Sequence, residues 1–455
     1  MPADRIGRRT VLRAGALAAA APLLAACGVV DDLLAVNLVR VAVSWGDEEL
    51  TAFQRVLDEF RRHKPYEVDV IPLGDDIADA VTSQVNGRPD VVMLPRPGLV
   101  AQHLDRLAPL PPGVWRDDWL SPAWRDLVWQ PEAPGRPAVP YGLPFKVANE
   151  SALWYRKDVF DRLHLTPPAT WSAWLDVNDT LIAHGIAPLA VGAGDGWPLT
   201  AFFANVLRGC HPFVYEQLAK PDPPPELWEG PEFNQALRLF GGMVSVRGAL
   251  SGGVDRTLAM QYPDSVVEVF GYHKAAMVVS ADFAAPIAAE FRRPPAEIGV
   301  VPFPVVDGIR AGQGDPDLVA GAAGFPGDRP LVIGADIAVL LRPATTGGAE
   351  LVRWLARPTA PLPWITGHGG FIAANRRTPP RYYRPLVEPL VAQVSSSPFA
   401  FDLTDELGSL GGSGALFGVL EDFLRTVGDG GGDRLADAAR AAGTRMREIE
   451  EGHGG

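Results

Sequence analysis

Strand-like and helix-like segments alternate between residues 38 and 94, and they restrict the possible folds more than any other feature of this sequence. Strands are predicted at 38–43, 68–71 and 90–94. Amphipathic helices are predicted between them, at 49–62 and 77–85. The third strand is apolar enough to be buried on both faces. This order predicts a parallel sheet with ligand-facing loops at its carboxyl edge, at residues 44–48 and 95–98.

The remainder of the 455-residue chain continues the mixed pattern without an internal repeat. A proline-rich stretch at 140–144 precedes an extended run, which suggests a crossing into a second lobe. Further strands are predicted at 152–155, 297–302 and 331–341, and further helices at 170–207, 233–246 and 349–356. A glycine-rich loop is predicted at 307–328. The C-terminal part is predicted to be helical to about residue 449, with a glycine interruption at 428–432. The length favours two or three domains.

The first 27 residues have the features of an export signal. Arg8 and Arg9 precede an uncharged apolar run from Ala14 to Ala26, which is followed by Cys27. This run is too short for a bilayer core, which needs about 20 residues. A positive start, a short apolar region and small residues before a cut site are typical of a signal peptide. An apolar helix of the fold is the alternative reading, but Pro22 interrupts the run.

Two details of this segment indicate where the protein works. The arginine pair resembles the twin-arginine export signal, which suggests export after folding. Leu-Ala-Ala-Cys resembles a bacterial lipobox, in which Cys27 is acylated and becomes the first residue. We therefore predict a signal peptide over 1–26, a tether over 27–37 and a protein held by lipid on the outer face of the cytoplasmic membrane.

The charge and cysteine content exclude some partners. The chain carries −13, and the signal holds four arginines against one aspartate, so the remainder is more acidic still. This argues against nucleic acid and against electrostatic docking on anionic lipid. If Cys27 takes the lipid, Cys210 has no disulfide partner, and we expect it to be a small buried apolar residue.

Common catalytic and metal-binding motifs do not occur in the sequence. The closest histidines, His164 and His184, are twenty residues apart, and there is no HExxH, CxxC, GxSxG or GxxxxGK[ST]. The glycine-rich stretch at 192–196 does not fit dinucleotide spacing and indicates a flexible loop. A catalytic carboxylate pair from distant segments stays open, because acids far apart in sequence can meet in a cleft.

Tryptophans beside polar residues in predicted loops suggest a sugar site. A sugar ring has an apolar C–H face and a girdle of hydroxyls, which fits a flat indole with carboxylates nearby. Trp45 and Trp197 have such neighbours, and for both the choice between ligand contact and core packing stays open. Trp171, Trp174 and Trp354 follow helical patterns and are assigned to the core.

Ten short motifs in one order resemble the carbohydrate-type extracellular solute-binding proteins of ABC importers, and among them the alpha-glucoside-binding subgroup. They cover essentially the whole chain after the signal, and each alone is weak. The motifs are Ser-Trp-Gly-Asp-Glu at 44–48, residues 88–98, Tyr-Gly-Leu-Pro-Phe-Lys at 141–146 together with Leu-Trp-Tyr at 153–155, Pro-Ala-Thr-Trp at 168–171, Gly-Trp-Pro-Leu-Thr at 196–200, 272–277, 298–304, 334–336, 369–375 and Phe-Asp-Leu-Thr-Asp at 401–405.

The resemblance implies an α/β, periplasmic-binding-protein-like fold with two discontinuous lobes around a hinge and a ligand cleft. The chain would cross between lobes near 145–149, 302–304 and 358–361. The N-terminal lobe would then comprise residues 38–145 and 304–358, and the C-terminal lobe 146–303 and 359–452. Such lobes close around a ligand by a hinge motion, and the permease would recognise the closed form.

Candidate ligand-binding residues come from the loops and motifs together. The aromatic candidates are Trp45, Trp197, Phe283, Trp364, Phe371 and Phe417, and the charged candidates are Asp47, Glu48, Arg96, Lys146, Asp195, Asp282 and Asp336. For each carboxylate, an ordinary solvated position is an equal alternative.

Three departures from the alpha-glucoside pattern leave the solute open. Ala201-Phe202 stands where an Asp-Trp pair is expected, Glu150 where a lysine is expected, and Phe417 where a tryptophan is expected. A buried group that bonds a hydroxyl discriminates strongly, so one such change can redirect specificity.

The resemblance implies a monomeric receptor, anchored to the membrane by lipid only, that delivers a sugar, glycoside or glycerol-phosphodiester-like solute to an ABC permease. No catalytic residue, cofactor, metal or nucleic acid is expected. Two alternatives are an extracytoplasmic carbohydrate-active hydrolase that uses two carboxylates, and a lipoprotein that kept the fold and now senses or scaffolds.

Overall fold

The computed structural model describes residues 37–74, 77, 79–82, 87–220, 223–291, 297–307, 329–412 and 414–453. The predicted export signal, with Arg8, Arg9 and Cys27, lies outside these residues. So do the end of the predicted helix at 77–85 and most of the predicted loop at 307–328.

The described strands form three sheets. They are β1 Leu38–Val43, β2 Glu67–Pro72, β3 Val91–Leu94, β4 Leu107–Ala108, β5 Trp129–Pro131, β6 Ala138–Pro140, β7 Gly142–Asn149, β8 Ala152–Arg156, β9 Ala187–Ala190, β10 Ala275–Val279, β11 Ile298–Pro302, β12 Val332–Leu341, β13 Ile372–Ala373 and β14 Ala400–Phe401. The strands predicted from residues 38 to 94 are confirmed to within two residues at each end.

The helices fill the intervals between strands. They are α1 Asp47–His63, α2 Asp79–Thr82, α3 Leu99–Gln102, α4 Trp124–Val128, α5 Lys157–Arg162, α6 Trp171–Ala183, α7 Trp197–Cys210, α8 Pro212–Leu218, α9 Pro231–Val244, α10 Gly253–Ala259, α11 Tyr262–Phe270, α12 Ala284–Phe291, α13 Thr346–Leu355, α14 Leu362–Gly367, α15 Glu388–Ser396, α16 Leu403–Leu407, α17 Leu416–Val427 and α18 Leu435–His453.

The largest sheet has eight strands and is of mixed direction. Its order is β13-β7-β12-β3-β1-β2, and β4 and β14 also pair with β12. The predicted parallel arrangement holds for β1, β2 and β3. The sheet continues differently, because β12 inserts antiparallel between β3 and β7. All ten residues of β12 are buried, as expected for a central strand.

A second sheet of four strands, in the order β11-β8-β10-β9, forms the base of the other half of the molecule. Its outer pair β10 and β9 is parallel, and β8 runs antiparallel to both of its neighbours. Strands β5 and β6 form a separate two-stranded ribbon.

Helix α1 shows why the local sequence determines these elements. Its buried positions include Phe53, Val56, Leu57 and Phe60, which recur every three or four residues and face the sheet. Acidic residues occupy its first turn and basic residues its last, which suits the helix dipole. The predicted helix start at Pro-Ala-Thr-Trp is confirmed, since the Thr170 side chain accepts a hydrogen bond from the Ala173 N–H at 3.2 Å as an N-cap.

The chain passes between the two large sheets three times. The first passage lies between β7 and β8 at residues 150–151, and the second lies between β11 and β12. The third differs from the expected position at 358–361. Residues of α14, β13 and α15 still pack in the core of the eight-stranded sheet, and the chain leaves this sheet only after β14.

The reason for this difference is hydrophobic burial. The prolines near residue 360 resemble a linker, but they lead into α14, whose Trp364 is fully buried against Trp45 and Phe53. Burial of the Trp364 indole stabilises the packing of α14 on the eight-stranded sheet, although the proline-rich composition is typical of a linker. The lobe boundaries proposed from the sequence otherwise stay a prediction.

The remaining core predictions are confirmed. Trp171, Trp174 and Trp354 are buried. Cys210 is a free, buried thiol, and burial raises its pKa far above the ordinary value. Within the part of the chain that the structure describes, no helix is both long and apolar enough to cross a bilayer.

Candidate functional site

Most of the predicted site residues meet where the eight-stranded sheet faces the loops of the four-stranded sheet. We call this group the cleft cluster. Its members are Trp45, Glu49, Lys146, Asp336 and Trp364 from the first side, and Trp197, Tyr262, Asp282 and Phe283 from the second.

Lys146 lies at the centre of the cleft cluster. It sits on β7 opposite Asp336 of β12, next to a bulge that shifts the register between Asp336 and Ile337. A bulge of this kind re-aims neighbouring side chains. The Lys146 ammonium donates to Glu49 Oε1 at 2.7 Å. Its Nζ also lies 5.2 Å from the ring centroid of Phe283 and 5.3 Å from that of Trp364, within cation–π range.

The charges around Lys146 determine the state of the carboxyls. Burial alone would lower the pKa of Lys146, but Glu49 and Asp336 oppose this and the pKa is raised, so the ammonium stays charged. Burial raises the pKa of Asp336 to about 7, although Lys146 and a hydrogen bond from Trp45 both work against that rise. Asp336 is therefore divided between its two protonation states near neutral pH.

Asp282 is a second buried acceptor in the cleft cluster. It is 1% exposed, and its Oδ1 accepts a hydrogen bond from the Asn149 N–H at 2.9 Å. Its Oδ2 has no hydrogen-bond partner in the part of the chain that the structure describes. Burial raises the pKa of Asp282 to about 6, partly offset by the Asn149 hydrogen bond and Lys146. A buried acceptor of this kind is satisfied by a donor such as a hydroxyl.

Trp197 lies on the second side of the cleft cluster, which is formed by loops of the four-stranded sheet. Its ring lies 5.0 Å from that of Tyr262 and 5.6 Å from that of Phe283, centroid to centroid. Asp195 holds this wall in place, because its Oδ2 accepts from the Tyr262 N–H at 2.6 Å. Trp197 and Phe283 are half-buried, so both rings keep part of their surface free.

Phe417 lies against the backbone of the same wall. Gly196 has φ +75°, and a Cβ built there would lie 2.3 Å from Phe417 Cδ2. The close approach and the left-handed backbone both require glycine at 196. Phe417 thus supports the Trp197 turn by direct packing.

Trp45, Trp364 and Phe371 form a buried wall on the opposite side. The ring centroids of Trp45 and Trp364 are 4.9 Å apart, and those of Trp364 and Phe371 are 5.1 Å apart. Trp45 is 4% exposed and Trp364 is fully buried. The Trp45 ring therefore serves mainly as packing, and its polar contribution is the hydrogen bond to Asp336.

Three predicted residues lie away from this centre. Asp47 is exposed in the first turn of α1, and Glu48 is exposed beside His368, with Nδ1 and Oε2 3.6 Å apart. Glu48 also lies close to Glu290 of α12, which belongs to the second side, and its negative charge adds to burial in raising the pKa of Glu290. Arg96 acts on Asp405 instead, outside the cleft cluster.

Sequence reasoning missed Glu49 and Tyr262. Glu49 read as the first residue of an amphipathic helix, and only the fold brings it to Lys146. Tyr262 opens α11, and its place beside Trp197 depends on the hydrogen bond to Asp195. Neither position had a local sequence signal.

The two sides come into direct contact beside the cleft cluster. Gly370 precedes β13 with φ +61°, and a Cβ built there would lie 2.9 Å from Phe283 Cα. Only glycine allows the two backbones to approach this closely. Contact between the two lobes at this point therefore requires a residue without a Cβ atom at position 370.

The cleft cluster combines aromatic surface, carboxylate acceptors and one ammonium donor. Such a set suits a molecule with an apolar face and several hydroxyls. Among the described residues, no group of three or more His, Cys, Asp or Glu side chains is placed to hold a metal ion.

Comparison with known proteins agrees with this architecture. The family model described as bacterial extracellular solute-binding protein matches residues 45–360, more than half of the chain. The alpha-glucosides-binding periplasmic protein AglE of Rhizobium meliloti strain 1021 is 22% identical over 383 residues, which are 79% of this chain and 76% of that protein.

Two solved structures show the shared fold. The bacterial solute receptor AcbH, described as preferring β-D-galactopyranose, superposes with TM-score 0.71 at 14% identity, over 90% of this chain and 99% of AcbH. Maltose-bound MalE3 of T. maritima gives 0.67 at 16% identity, over 91% of this chain and 99% of MalE3. The predicted periplasmic-binding-protein-like α/β fold with two lobes is thereby confirmed. Matched by the family model over most of its length, this chain belongs to the bacterial extracellular solute-binding proteins.

Proposed function

We propose that this protein is a lipid-anchored receptor that captures a sugar or glycoside and delivers it to the permease of an ABC importer. The observation that carries the proposal is the cleft cluster, in which the Lys146 ammonium lies among aromatic rings and carboxyls between the two lobes. The cleft cluster would act by binding and not by catalysis.

The chemistry of the cleft cluster fits a pyranose. The half-buried rings of Trp197 and Phe283 would cover its C–H face. Asp282 Oδ2 and the Asp336 carboxylate would accept its hydroxyls, and Lys146 would donate to one of them. A site built from such groups rejects a ligand that lacks the matching hydroxyl.

The relatives support a carbohydrate ligand. AglE is named for alpha-glucosides, AcbH is described with galactopyranose, and MalE3 was solved with maltose. Alpha-glucosides are therefore the first compounds to test, followed by galactose and maltose.

Ligand binding would be transmitted to the permease through lobe closure. The first-lobe backbone at Gly370 meets the second-lobe backbone at Phe283 beside the cleft cluster. A ligand that contacts both lobes favours their joined arrangement by its differential affinity. The permease would distinguish this arrangement from the open one.

Lipid attachment at Cys27 would keep the receptor beside its permease. Arg8 and Arg9 would direct export, and the residues after Cys27 would serve as a tether. Solute capture outside the cell is useful only where the permease can collect it.

The binding proposal is tested by thermal unfolding and calorimetry with a panel of alpha-glucosides, galactose, maltose and glycerol phosphodiesters. A receptor is stabilised in proportion to RT ln(1 + [L]/Kd) and leaves the solute unchanged. Chromatography of the same mixtures detects hydrolysis. Product formation would favour the hydrolase alternative, and a flat response to every compound would overturn the receptor proposal.

A matched pair of tryptophan variants localises the site. Trp197→Ala removes a half-buried ring of the cleft cluster. Trp115→Ala removes a ring of similar burial that packs on Trp129, outside the cleft cluster. Loss of binding in the first variant alone supports the proposed cleft.

Delivery is tested by uptake of the labelled solute in cells that lack the gene. Uptake should return with the wild-type gene and not with Trp197→Ala. Equal uptake with and without the gene would contradict a role in import.

A further inference from the structure

Two buried acids, Glu150 and Asp402, lie at different passages of the chain between the sheets. Glu150 follows β7 at the first passage, and Asp402 follows β14 at the third. The Glu150 N–H donates to the Val332 carbonyl at 3.1 Å, and the Asp402 N–H donates to the Ile333 carbonyl at 2.8 Å. Both acids are therefore attached to the first two residues of β12.

The two side chains meet in the interior. Glu150 is 8% exposed and Asp402 is 3% exposed, and the two carboxyls lie within hydrogen-bonding reach of each other. Asp402 Oδ1 already accepts from the Thr404 N–H at 2.8 Å and from the Thr404 hydroxyl. Among the described residues, no N–H or hydroxyl group donates to Glu150 Oε2 or Asp402 Oδ2.

Two carboxylates cannot bond each other without a proton, because both are acceptors only. Side by side in the interior, two ionised acids also repel strongly.

The groups facing the pair come from several elements. Asp405 of α16 and Asp282 of the loop after β10 act on Glu150 with the same sign as Asp402. Asp336 of β12 and Arg96 of the loop after β3 act on Asp405 with opposite signs. The other titratable or charged groups that share these interactions are Glu406, Tyr215, Arg208, Glu216 and Asp126.

We propose that one proton shared by Glu150 and Asp402 forms a pH-sensitive latch between the first and third passages of the chain. The proton gives both remaining oxygens a partner. Its loss at alkaline pH places two negative charges in contact where the lobes are joined, and it loosens the hinge. This device is independent of which solute the cleft binds.

The environment favours Glu150 as the proton carrier. Burial, and then the charges of Asp402 and Asp405, raise the pKa of Glu150 well above its ordinary value. A glutamate at this position supplies a hydrogen bond to Asp402 only while it is protonated.

The direction of the pH effect follows from linkage. An acid whose pKa is raised on folding loses stabilisation as pH rises above its unfolded value, near 4.5 for glutamate. Glu150→Gln keeps the shape and donates to Asp402 at every pH. The wild-type unfolding constant should therefore rise with pH relative to that of Glu150→Gln, by up to about tenfold per pH unit.

The test is urea unfolding of the purified protein between about pH 5 and pH 9. Wild type, Glu150→Gln and a charge-matched control, Glu67→Gln at an exposed position of β2, are compared. Glu67→Gln should follow the wild type, and Glu150→Gln should show the flatter profile. Parallel profiles for all three proteins would overturn the proposal.

Two further measurements keep the proposal testable if Glu150→Gln does not fold. Asp402→Asn should flatten the profile in the same direction, because its amide donates to an ionised Glu150. The infrared difference spectrum between the wild type and Asp402→Asn at neutral pH should show one buried protonated carboxyl band that the variant lacks, whereas the bands of Asp336, Asp405 and Glu406, whose pKa values are also raised, should cancel. If that difference band is absent, the shared proton does not exist.

The hinge part of the proposal has its own readout. Small-angle scattering should show a more extended wild-type protein at about pH 9 than at pH 6, whereas Glu150→Gln or Asp402→Asn should keep one size. Equal expansion of wild type and variant would overturn the latch.

Discussion

The Lys146 ammonium and Glu49 Oε1, 2.7 Å apart, join the middle of β7 to the first turn of α1. Lys146 is 4% exposed, whereas the Glu49 side chain keeps a third of its surface accessible. The buried partner is the cation, and it also faces Asp336. This contact therefore holds a buried positive charge next to Asp336 in the cleft cluster.

Lys146→Met should destabilise the protein by about 1–3 kcal/mol, because Asp336 and Glu49 lose their counter-charge. The partly exposed Glu49 places the effect below that of a fully buried pair. Urea unfolding measures it. The double variant Lys146→Met/Glu49→Gln should recover part of the loss, and an unchanged midpoint for the single variant would contradict the role assigned to the pair.

Trp197→Ala should weaken solute binding by ~1–3 kcal/mol, as expected for lost aromatic contact. Trp45→Ala should also weaken it, because Asp336 loses the hydrogen bond from Trp45. The two variants should differ in stability. Trp45 is 4% exposed against Phe53 and Trp364, so its truncation should also cost about 3–5 kcal/mol of unfolding free energy. Calorimetry and urea unfolding separate the two effects, and normal binding by both variants would show that the cleft assignment is wrong.

Solute binding near neutral pH should release protons. The pKa of Asp336 is about 7, so much of it is protonated in the unliganded protein. A solute hydroxyl that donates to this group favours the ionised form. Calorimetry in two buffers of different ionisation enthalpy should give different heats for wild type and a smaller difference for Asp336→Asn.

Asp336 also determines the direction in which the stability of the protein changes with pH. The pKa of Asp336 is raised from 3.8, so the unliganded protein should lose stability as pH rises from about 4 to about 7. Asp336→Asn should lose less over that range. Identical buffer dependence of the binding heats in wild type and Asp336→Asn would exclude Asp336 from the binding site.

Gly370→Ala should lower solute affinity more than it lowers the stability of the unliganded protein. The new Cβ would collide with the Phe283 backbone at 2.9 Å and keep the lobes apart. Gly369→Ala is the matched control, since Gly369 also has positive φ but its nearest atom is Arg384 Cζ at 3.7 Å. Both should lose about 1–2 kcal/mol of stability from backbone strain. An equal affinity in the two variants would contradict contact-dependent closure.

Cys27→Ala should release the protein from the membrane fraction and leave its solute affinity unchanged. The expected lipid attaches only to that sulfur, and the cleft cluster lies in the folded part of the chain. Cell fractionation followed by calorimetry checks both outcomes. A variant that stays in the membrane fraction would show that another feature anchors the protein.

Local periodicity explains how much of the fold could be predicted. Strands β1 and β2 and helix α1 alternate apolar and polar residues with clear periods, β3 is a short apolar run, and the bounds of all four were predicted closely. The antiparallel insertion of β12 between β3 and β7 depends on contacts between distant segments, which periodicity cannot express.

The site was predictable where a polar or aromatic residue stood at a predicted strand end. Trp45, Lys146 and Asp336 meet this condition and lie in the cleft cluster. Glu49 did not, because a carboxylate in the first turn of a helix has an ordinary explanation in the helix dipole. Glu150 and Asp402 gave no local sign of their pairing, which only the route of the chain produces.

Strand β12 has a consequence for the order of assembly during synthesis. It bonds β3, β4, β7 and β14, so the eight-stranded sheet has no centre until residue 341 has left the ribosome. All four strands of the other sheet lie between residues 152 and 302. The four-stranded sheet can thus form first on the growing chain, but its lobe is finished last, because Leu416, Phe423 and Met446 near the C-terminus pack in its core. An export route that accepts folded proteins suits this order, because a chain threaded through a membrane from its N-terminus would present each lobe before its last segment arrives.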